Sequence, residues 1–140
     1  MMNTIILSTL VSLSIGYAHM AMTSAYKYTL EEVKGEILFS CRYYDDKNKL
    51  VELKRIPVAP IYMEQVRKVV EKHGFANMMY REPAEWQKQA RDLPMYSVDM
   101  EWLDEGTVRR RNLYLNYFPT GTDELKEIFL KLKISYHGEL

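Results

Sequence analysis

The chain has 140 residues, of which 47% are hydrophobic, and its 19 basic residues balance its 19 acidic residues. This length predicts one domain, residues 1–140, that folds without disulfide or metal support, and the neutral balance argues against nucleic acid or an anionic membrane surface as a partner. A single cysteine, Cys41, excludes an internal disulfide and any cysteine-based zinc site.

The first stretch, Thr4–Met20, alternates between an apolar row at odd positions and a row of serines and Gly16 at even positions. A period of two predicts a β-strand with one buried face, although Ile6 and Leu10 interrupt the polar row. That polar row also suits a sheet edge that pairs with another chain. We therefore expect a retained first strand and a cytoplasmic protein.

The alternative is that residues 1–25 are a signal segment, cleaved or kept as an anchor, of an exported envelope protein. The apolar run Ile5–Ile15 resembles the core of such a segment, but no Lys or Arg precedes Lys27. The run is also too short to cross a bilayer as a helix, so no stable membrane span is expected.

Further strands follow from alternation and from flanking turn residues. They are predicted at Tyr26–Leu30, Glu36–Tyr44, Leu50–Ile56, Tyr96–Trp102 and Thr107–Tyr117. Glu31–Gly35 forms the expected turn between the first two of these, and Pro57 and Pro60 are expected to end sheet pairing after Ile56. The sheet is expected to contain about five strands built from hairpins.

Two main helices are predicted, one from about Ile61 to His73 and one that is capped by Thr122 or Asp123. Their apolar stripes are Met63, Val66, Val69 and Val70 in the first, and Leu125, Ile128, Phe129 and Leu132 in the second. A short helix or a helical loop is also predicted within residues 83–93. Antiparallel hairpins with two main helices on one face give an α+β fold.

The last two strands form the clearest hairpin. A two-residue loop at Glu105-Gly106 places Asp104 opposite Thr107 and Glu101 opposite Arg110. We expect the acidic residues here and Arg109, Arg110 and Arg111 to form an exposed charge ladder. A small ligand-binding protein or an enzyme that uses the face of Asp99, Glu101 and Arg110 is the alternative.

No residue pattern predicts catalysis, a metal site or a cofactor. The three histidines lack metal-ligand spacing, Cys41 lies on a predicted buried face, and phosphate-binding glycine loops and G-x-S-x-G are absent from the sequence. We therefore expect a non-catalytic protein.

Eleven tyrosines and nine methionines are the unusual feature of the composition. Both residue types are enriched at protein contact surfaces, and the rigid ring of tyrosine gives a large contact area at low entropic cost. The predicted interaction surface consists of Tyr28, Tyr43, Tyr44, Arg110, Tyr114 and Tyr117. Its expected occupant is an unknown protein or a second copy of the chain, as in a homodimer.

The segments SIGYAHM, SAYKYTLE and GEILFSCRYYDD, followed by YSVDMEWLDEGTVRRRNLYL, resemble in layout small bacterial α+β domains of unknown function. The resemblance covers most of the chain and implies a strand at its start. The sequence departs from it at Ala18-His19, where such domains have Ser-Gly, and near Asn116, where their usual glycines are lacking. The resemblance implies no functional residue.

Overall fold

The computed structural model describes residues 8–18, 25–77, 95–115 and 120–137. Its elements are β1 (Ser8–Ala18), β2 (Tyr26–Val33), β3 (Glu36–Tyr44), β4 (Leu50–Val58), α1 (Ile61–Lys72), a 3₁₀ turn (Phe75–Asn77), β5 (Met95–Asp104), β6 (Thr107–Leu115) and α2 (Thr122–His137). The strands form one antiparallel sheet in the order β4-β3-β2-β1-β5-β6. The α+β class is confirmed, with six strands rather than about five. The helix predicted within residues 83–93 lies outside the described residues.

The first strand lies in the middle of the sheet. β1 pairs with β2 on one side and with β5 on the other, so it is not the sheet edge that its polar row suggests. Hydrophobic alternation identifies the two faces of a strand but not its neighbours, which explains this error. A chain that lacked residues 1–25 would lose the strand that joins the two halves of the sheet.

A β-bulge explains the imperfect alternation of β1. Leu10 pairs with Trp102 and Ser12 with Glu101, which leaves Val11 as an extra residue in β1. The extra residue turns Leu10 towards the core, where only 4% of it is exposed. Leu10 therefore interrupts the polar row in the sequence because it belongs to the core.

Strand β4 continues to Val58, beyond Ile56, where sheet pairing is expected to end. Pro57 lies within β4 and pairs with Leu38, which is tolerated because β4 is an edge strand with one unpaired side. The register shifts between Phe39 and Cys41, and Arg55 has a φ of 51°. This second irregularity ends the simple alternation of β4 after Leu53.

Strand β2 is three residues longer than predicted and ends at Val33, before a tight turn at Lys34-Gly35. Glu31 and Glu32 belong to the strand rather than to the turn. The Glu31 carboxylate lies 3.4 Å from Arg55 Nε, and Arg67 of α1 donates a 2.7 Å hydrogen bond to Glu32 Oε1. These partners explain how two consecutive acidic residues are held in a strand.

Both helices pack on one face of the sheet, and their predicted apolar stripes are confirmed. The buried helical residues are Met63, Val66, Val69 and Val70 of α1, and Leu125, Ile128, Phe129 and Leu132 of α2. Phe129 stacks on Tyr28 of β2 and Phe39 of β3, with ring centroids 5.7 Å and 6.2 Å away. The core therefore lies between α1, α2 and this face of the sheet.

A polar clasp joins the end of α1 to the start of α2. His73 Nε2 and Glu124 Oε2 form a hydrogen bond, and Lys72 Nζ donates to Glu124 Oε1 at 3.1 Å. The hydrogen bond with His73 and the one with Lys72 lower the pKa of the Glu124 carboxyl below its usual value. The ionised carboxylate is thus the form that the folded chain favours.

Glu124→Gln is expected to lower the free energy of unfolding near neutral pH and to have little effect in acid. A depressed folded-state pKa stabilises the protein above the unfolded-state pKa of about 4.3, and this stabilisation disappears as the pH falls through the folded-state value. Urea unfolding at about pH 7 and about pH 3 measures the difference. Glu127→Gln, at an exposed position of the same helix, is the control. If the free energies of unfolding of Glu124→Gln and the unmodified chain differ equally at both pH values, the lowered pKa of Glu124 is contradicted.

Candidate functional site

One polar side chain from each of five neighbouring strands forms a row across the sheet, on the face opposite the helices. The row consists of Ser40, Thr29, Ser14, Asp99 and Asn112, which pair in register from β3 to β6. Ser14 Oγ and Thr29 Oγ1 lie 2.7 Å apart, and Ser40 Oγ accepts a 3.0 Å hydrogen bond from Arg55 N. When the Asn112 amide is oriented so that both its oxygen and its nitrogen have hydrogen-bond partners, its nitrogen donates to Asp99 Oδ1 at 3.2 Å. We call this side of the sheet the polar face.

The centre of the polar face is built from small residues. Strand β1 contributes Ser12, Ser14 and Gly16, and only 7% of Ser14 is exposed. A Cβ atom at Gly16 would lie 2.7 Å from Ser97 Oγ, closer than real contacts allow. A glycine inside a strand commonly marks a close approach of this kind.

Carboxylates lie on the β5 side of this centre. Burial raises the pKa of the Asp99 carboxyl, and the positive charge of Lys27 opposes that rise. Glu101 Oε2 accepts a 2.8 Å hydrogen bond from Arg110 Nε across the β5–β6 pair. The predicted register of this hairpin, with Glu101 opposite Arg110, is confirmed.

Cations lie on the other side of β1, and the sequence interpretation does not single them out. Lys27 of β2 and Arg42 of β3 are exposed and directly opposite each other. Among the described residues, neither forms an ion pair. A two-residue turn at Lys34-Gly35 would have given this register, since residues 27 and 42 are equally distant from it.

The residues of the predicted interaction surface do not share one surface. Tyr28 and Tyr43 are 6% and 8% exposed and belong to the core, where Tyr28 stacks on Phe129 and Lys133 Nζ lies 4.1 Å from the Tyr43 ring centroid. Burial raises the pKa of Tyr28 to about 12. A tyrosine in a strand suits a core face as well as a surface, so composition alone cannot separate the two.

The remaining residues of the predicted interaction surface do not lie beside Tyr28 and Tyr43. Tyr44 is half-buried on the polar face towards one edge of the sheet, and Arg110 is exposed on that face near the other edge. Tyr114 pairs with Ser97 in the β5–β6 ladder. Tyr117 lies outside the described residues.

A pocket of about 270 Å³ opens beside the two cations. The described residues that line it are Ala25, Tyr26, Lys27, Arg42 and Tyr44.

Cys41 is 4% exposed, and burial raises the pKa of its thiol, as expected for a packing residue. The described residues include no group of three or more His, Cys, Asp or Glu that could hold a metal ion.

No helix in the described part of the chain is both long and apolar enough to cross a bilayer. Comparison of the chain with protein-family models, with curated proteins and with solved structures found no match. The layout shared with small bacterial α+β domains therefore stays a prediction, and the functional argument is drawn from the polar face.

Proposed function

We propose that the chain is a non-catalytic self-association module whose polar face binds a second copy of the same chain. The observation that carries the proposal is the separation of charge about β1. Unpaired Lys27 and Arg42 lie on the β2 and β3 side, whereas Asp99 lies on the β5 side, next to Glu101, which is paired with Arg110. This surface is complementary to itself.

The geometry of a two-fold dimer uses this separation. When two sheets lie face to face about an axis along β1, β2 of each copy covers β5 of the other. Lys27 then lies over Ser97, because both pair with Gly16, and Asp99 is the next side chain of β5 on that face. The long lysine side chain can reach this carboxylate across two packed sheets, whose backbones are about 10 Å apart.

Both edges of the sheet oppose the addition of a strand from a second copy, which favours association through the polar face. On the β4 edge, Pro57 and the irregular Arg55 interrupt regular pairing. On the β6 edge, an antiparallel pairing of two copies centred on Arg110 would bring Arg109, Arg110 and Arg111 against the same residues of the partner copy. Both are known ways to block edge-to-edge pairing.

The alternative ligand or enzyme site at Asp99, Glu101 and Arg110 has less support. Arg110 and Glu101 already satisfy each other at 2.8 Å, and Asn112 can donate to Asp99. An exposed ion pair of this kind is worth less than about 1 kcal/mol and suits a charge ladder.

The proposal is tested with two charge-reversal variants, Lys27→Asp and Asp99→Lys. Each variant alone places like charges against each other in the dimer, so each is expected to be monomeric in light scattering. An equimolar mixture restores both attractions, and its mass is expected to approach twice the 16.6 kDa chain mass. A purely intramolecular effect of either change could not be reversed by mixing.

Lys131→Asp, at an exposed position of α2 on the other side of the sheet, is the control and should associate like the unmodified chain. Association is also expected to weaken in about 1 M salt, where the Debye length falls to about 3 Å. A monomeric unmodified chain, or a mixture that stays monomeric, would overturn the proposal.

The proposal also requires that β1 is retained, and we propose with it that the chain is cytoplasmic. An intact mass of 16.6 kDa for the protein from its native host is the expected result. A mass reduced by residues 1–25 would contradict it.

A further inference from the structure

Lys27 and Arg42 are a pair of like charges, and neither has an ion-pair partner among the described residues, although the charge of Lys27 also acts on the Asp99 carboxyl. They are cross-strand partners in the β2–β3 ladder, and like charges in this arrangement destabilise a sheet. Glu52 of β4 is opposite Arg42 on its other side, but no ion pair joins the two in the described part of the chain. Two neighbouring cations that lack a direct ion pair can attract an anion.

The pocket gives these cations a concave setting. It has a volume of about 270 Å³, and its other described lining residues are Ala25, Tyr26 and Tyr44. This volume is slightly below the range of drug-sized ligand sites, which starts at about 300 Å³, and suits a smaller ligand. The guanidinium group of Arg42 can bind two oxygens of one anionic group, and the ammonium of Lys27 adds a second charge.

We propose that this pocket binds a small phosphate monoester that carries a flat aromatic group. Two cations match the two charges of a phosphate monoester, whereas a carboxylate has only one. Tyr44 is half-buried and lines the pocket, so its ring is an aromatic group on which the flat group of the ligand can stack. This inference does not require the self-association proposed above, although Lys27 takes part in both.

Binding is tested by NMR titration of the chain with phenyl phosphate, inorganic phosphate and phenol, at a protein concentration where light scattering shows monomer. Phenyl phosphate is expected to bind more tightly than inorganic phosphate, and phenol is expected not to bind. Chemical-shift changes should centre on Ala25, Tyr26, Lys27, Arg42 and Tyr44. Use of the monomer separates failure of this inference from failure of self-association.

Lys27→Gln and Arg42→Gln are each expected to raise the Kd for phenyl phosphate at least about tenfold, because each removes a charged hydrogen bond to the ligand. Tyr44→Ala should remove the preference for phenyl phosphate over inorganic phosphate. Lys54→Gln, an exposed lysine of β4 outside the pocket lining, is the matched control and should leave the Kd unchanged.

Three results would overturn the inference. The first is an absence of shift changes with about 10 mM phenyl phosphate, a concentration about tenfold above a Kd of about 1 mM. The second is binding that Lys27→Gln and Arg42→Gln leave unchanged. The third is equal affinity for phenyl phosphate and inorganic phosphate, which would remove the aromatic part of the proposed ligand.

Discussion

Gly121→Ala is expected to lower the free energy of unfolding by about 3 kcal/mol, combining left-handed backbone strain with steric overlap. Gly121 precedes α2 and has a φ of 99°, which side chains rarely allow. A Cβ atom there would lie 2.5 Å from Cγ and Cδ2 of the His73 ring. Because His73 is held by Glu124, the ring cannot move without breaking the clasp. Urea unfolding followed by circular dichroism measures the loss.

Gly106→Ala is the matched control. Gly106 has a φ of 85°, but nothing lies within 4 Å of its built Cβ atom. The control therefore reports backbone strain alone, about 1 kcal/mol. His73→Ala combined with Gly121→Ala should be less destabilised than the sum of the single changes, because the ring that causes the overlap is gone. Equal losses for Gly121→Ala and Gly106→Ala would contradict this account.

Phe129→Ala is expected to lower the free energy of unfolding by about 3–5 kcal/mol, the usual cost of removing a fully buried phenyl ring. Phe129 is 0% exposed and connects α2 to two strands through its stacking on Tyr28 and Phe39. Its removal leaves a cavity at the centre of the core. Thermal and urea unfolding both measure the effect.

Leu130→Ala tests whether this loss comes from the cavity rather than from a weaker helix. Leu130 is the next residue of α2 and is 42% exposed. Since an alanine has the best helix propensity, the control should change the stability by no more than about 0.5 kcal/mol. A loss for Phe129→Ala no larger than that of Leu130→Ala would contradict the described core.

The sequence predicts those parts of the fold that depend on local rules. The Glu105-Gly106 turn sets the whole β5–β6 register, so the pairing of Glu101 with Arg110 follows from counting residues. The buried stripes of both helices follow in the same way from the 3.6-residue period. In each case the residues that set the pattern are close together in the chain.

The features of the fold that the sequence does not predict depend on interactions between distant segments of the chain. The place of β1 between β2 and β5 is set by long-range pairing, which alternation does not encode. Glu31 and Glu32 look like turn residues until Arg55 and Arg67 are placed beside them. The edge position of β4, which allows Pro57 to remain in a strand, is likewise a property of the complete sheet.

The sequence likewise predicts the candidate site only where the site depends on residues that are close in the chain. The face that holds Glu101 and Arg110 follows from one hairpin. The cation pair of Lys27 and Arg42 requires the correct turn between β2 and β3, and the expected five-residue turn at Glu31–Gly35 hides it. The tyrosines were misleading because their amphipathic rings suit both a core and a contact surface.

The central position of β1 also has a consequence for how the chain folds as it leaves the ribosome. Strands β1 to β4 are successive neighbours, so they can assemble in the order of synthesis. Strand β5 begins at Met95, which is made roughly 4–15 s after Ala18 at about 5–20 residues per second. During this interval the nascent meander exposes one long edge of β1 that the finished protein covers. The arrival of the β5–β6 hairpin is thus the step that closes the sheet, and the period before it is when the chain is most open to misassembly with its neighbours.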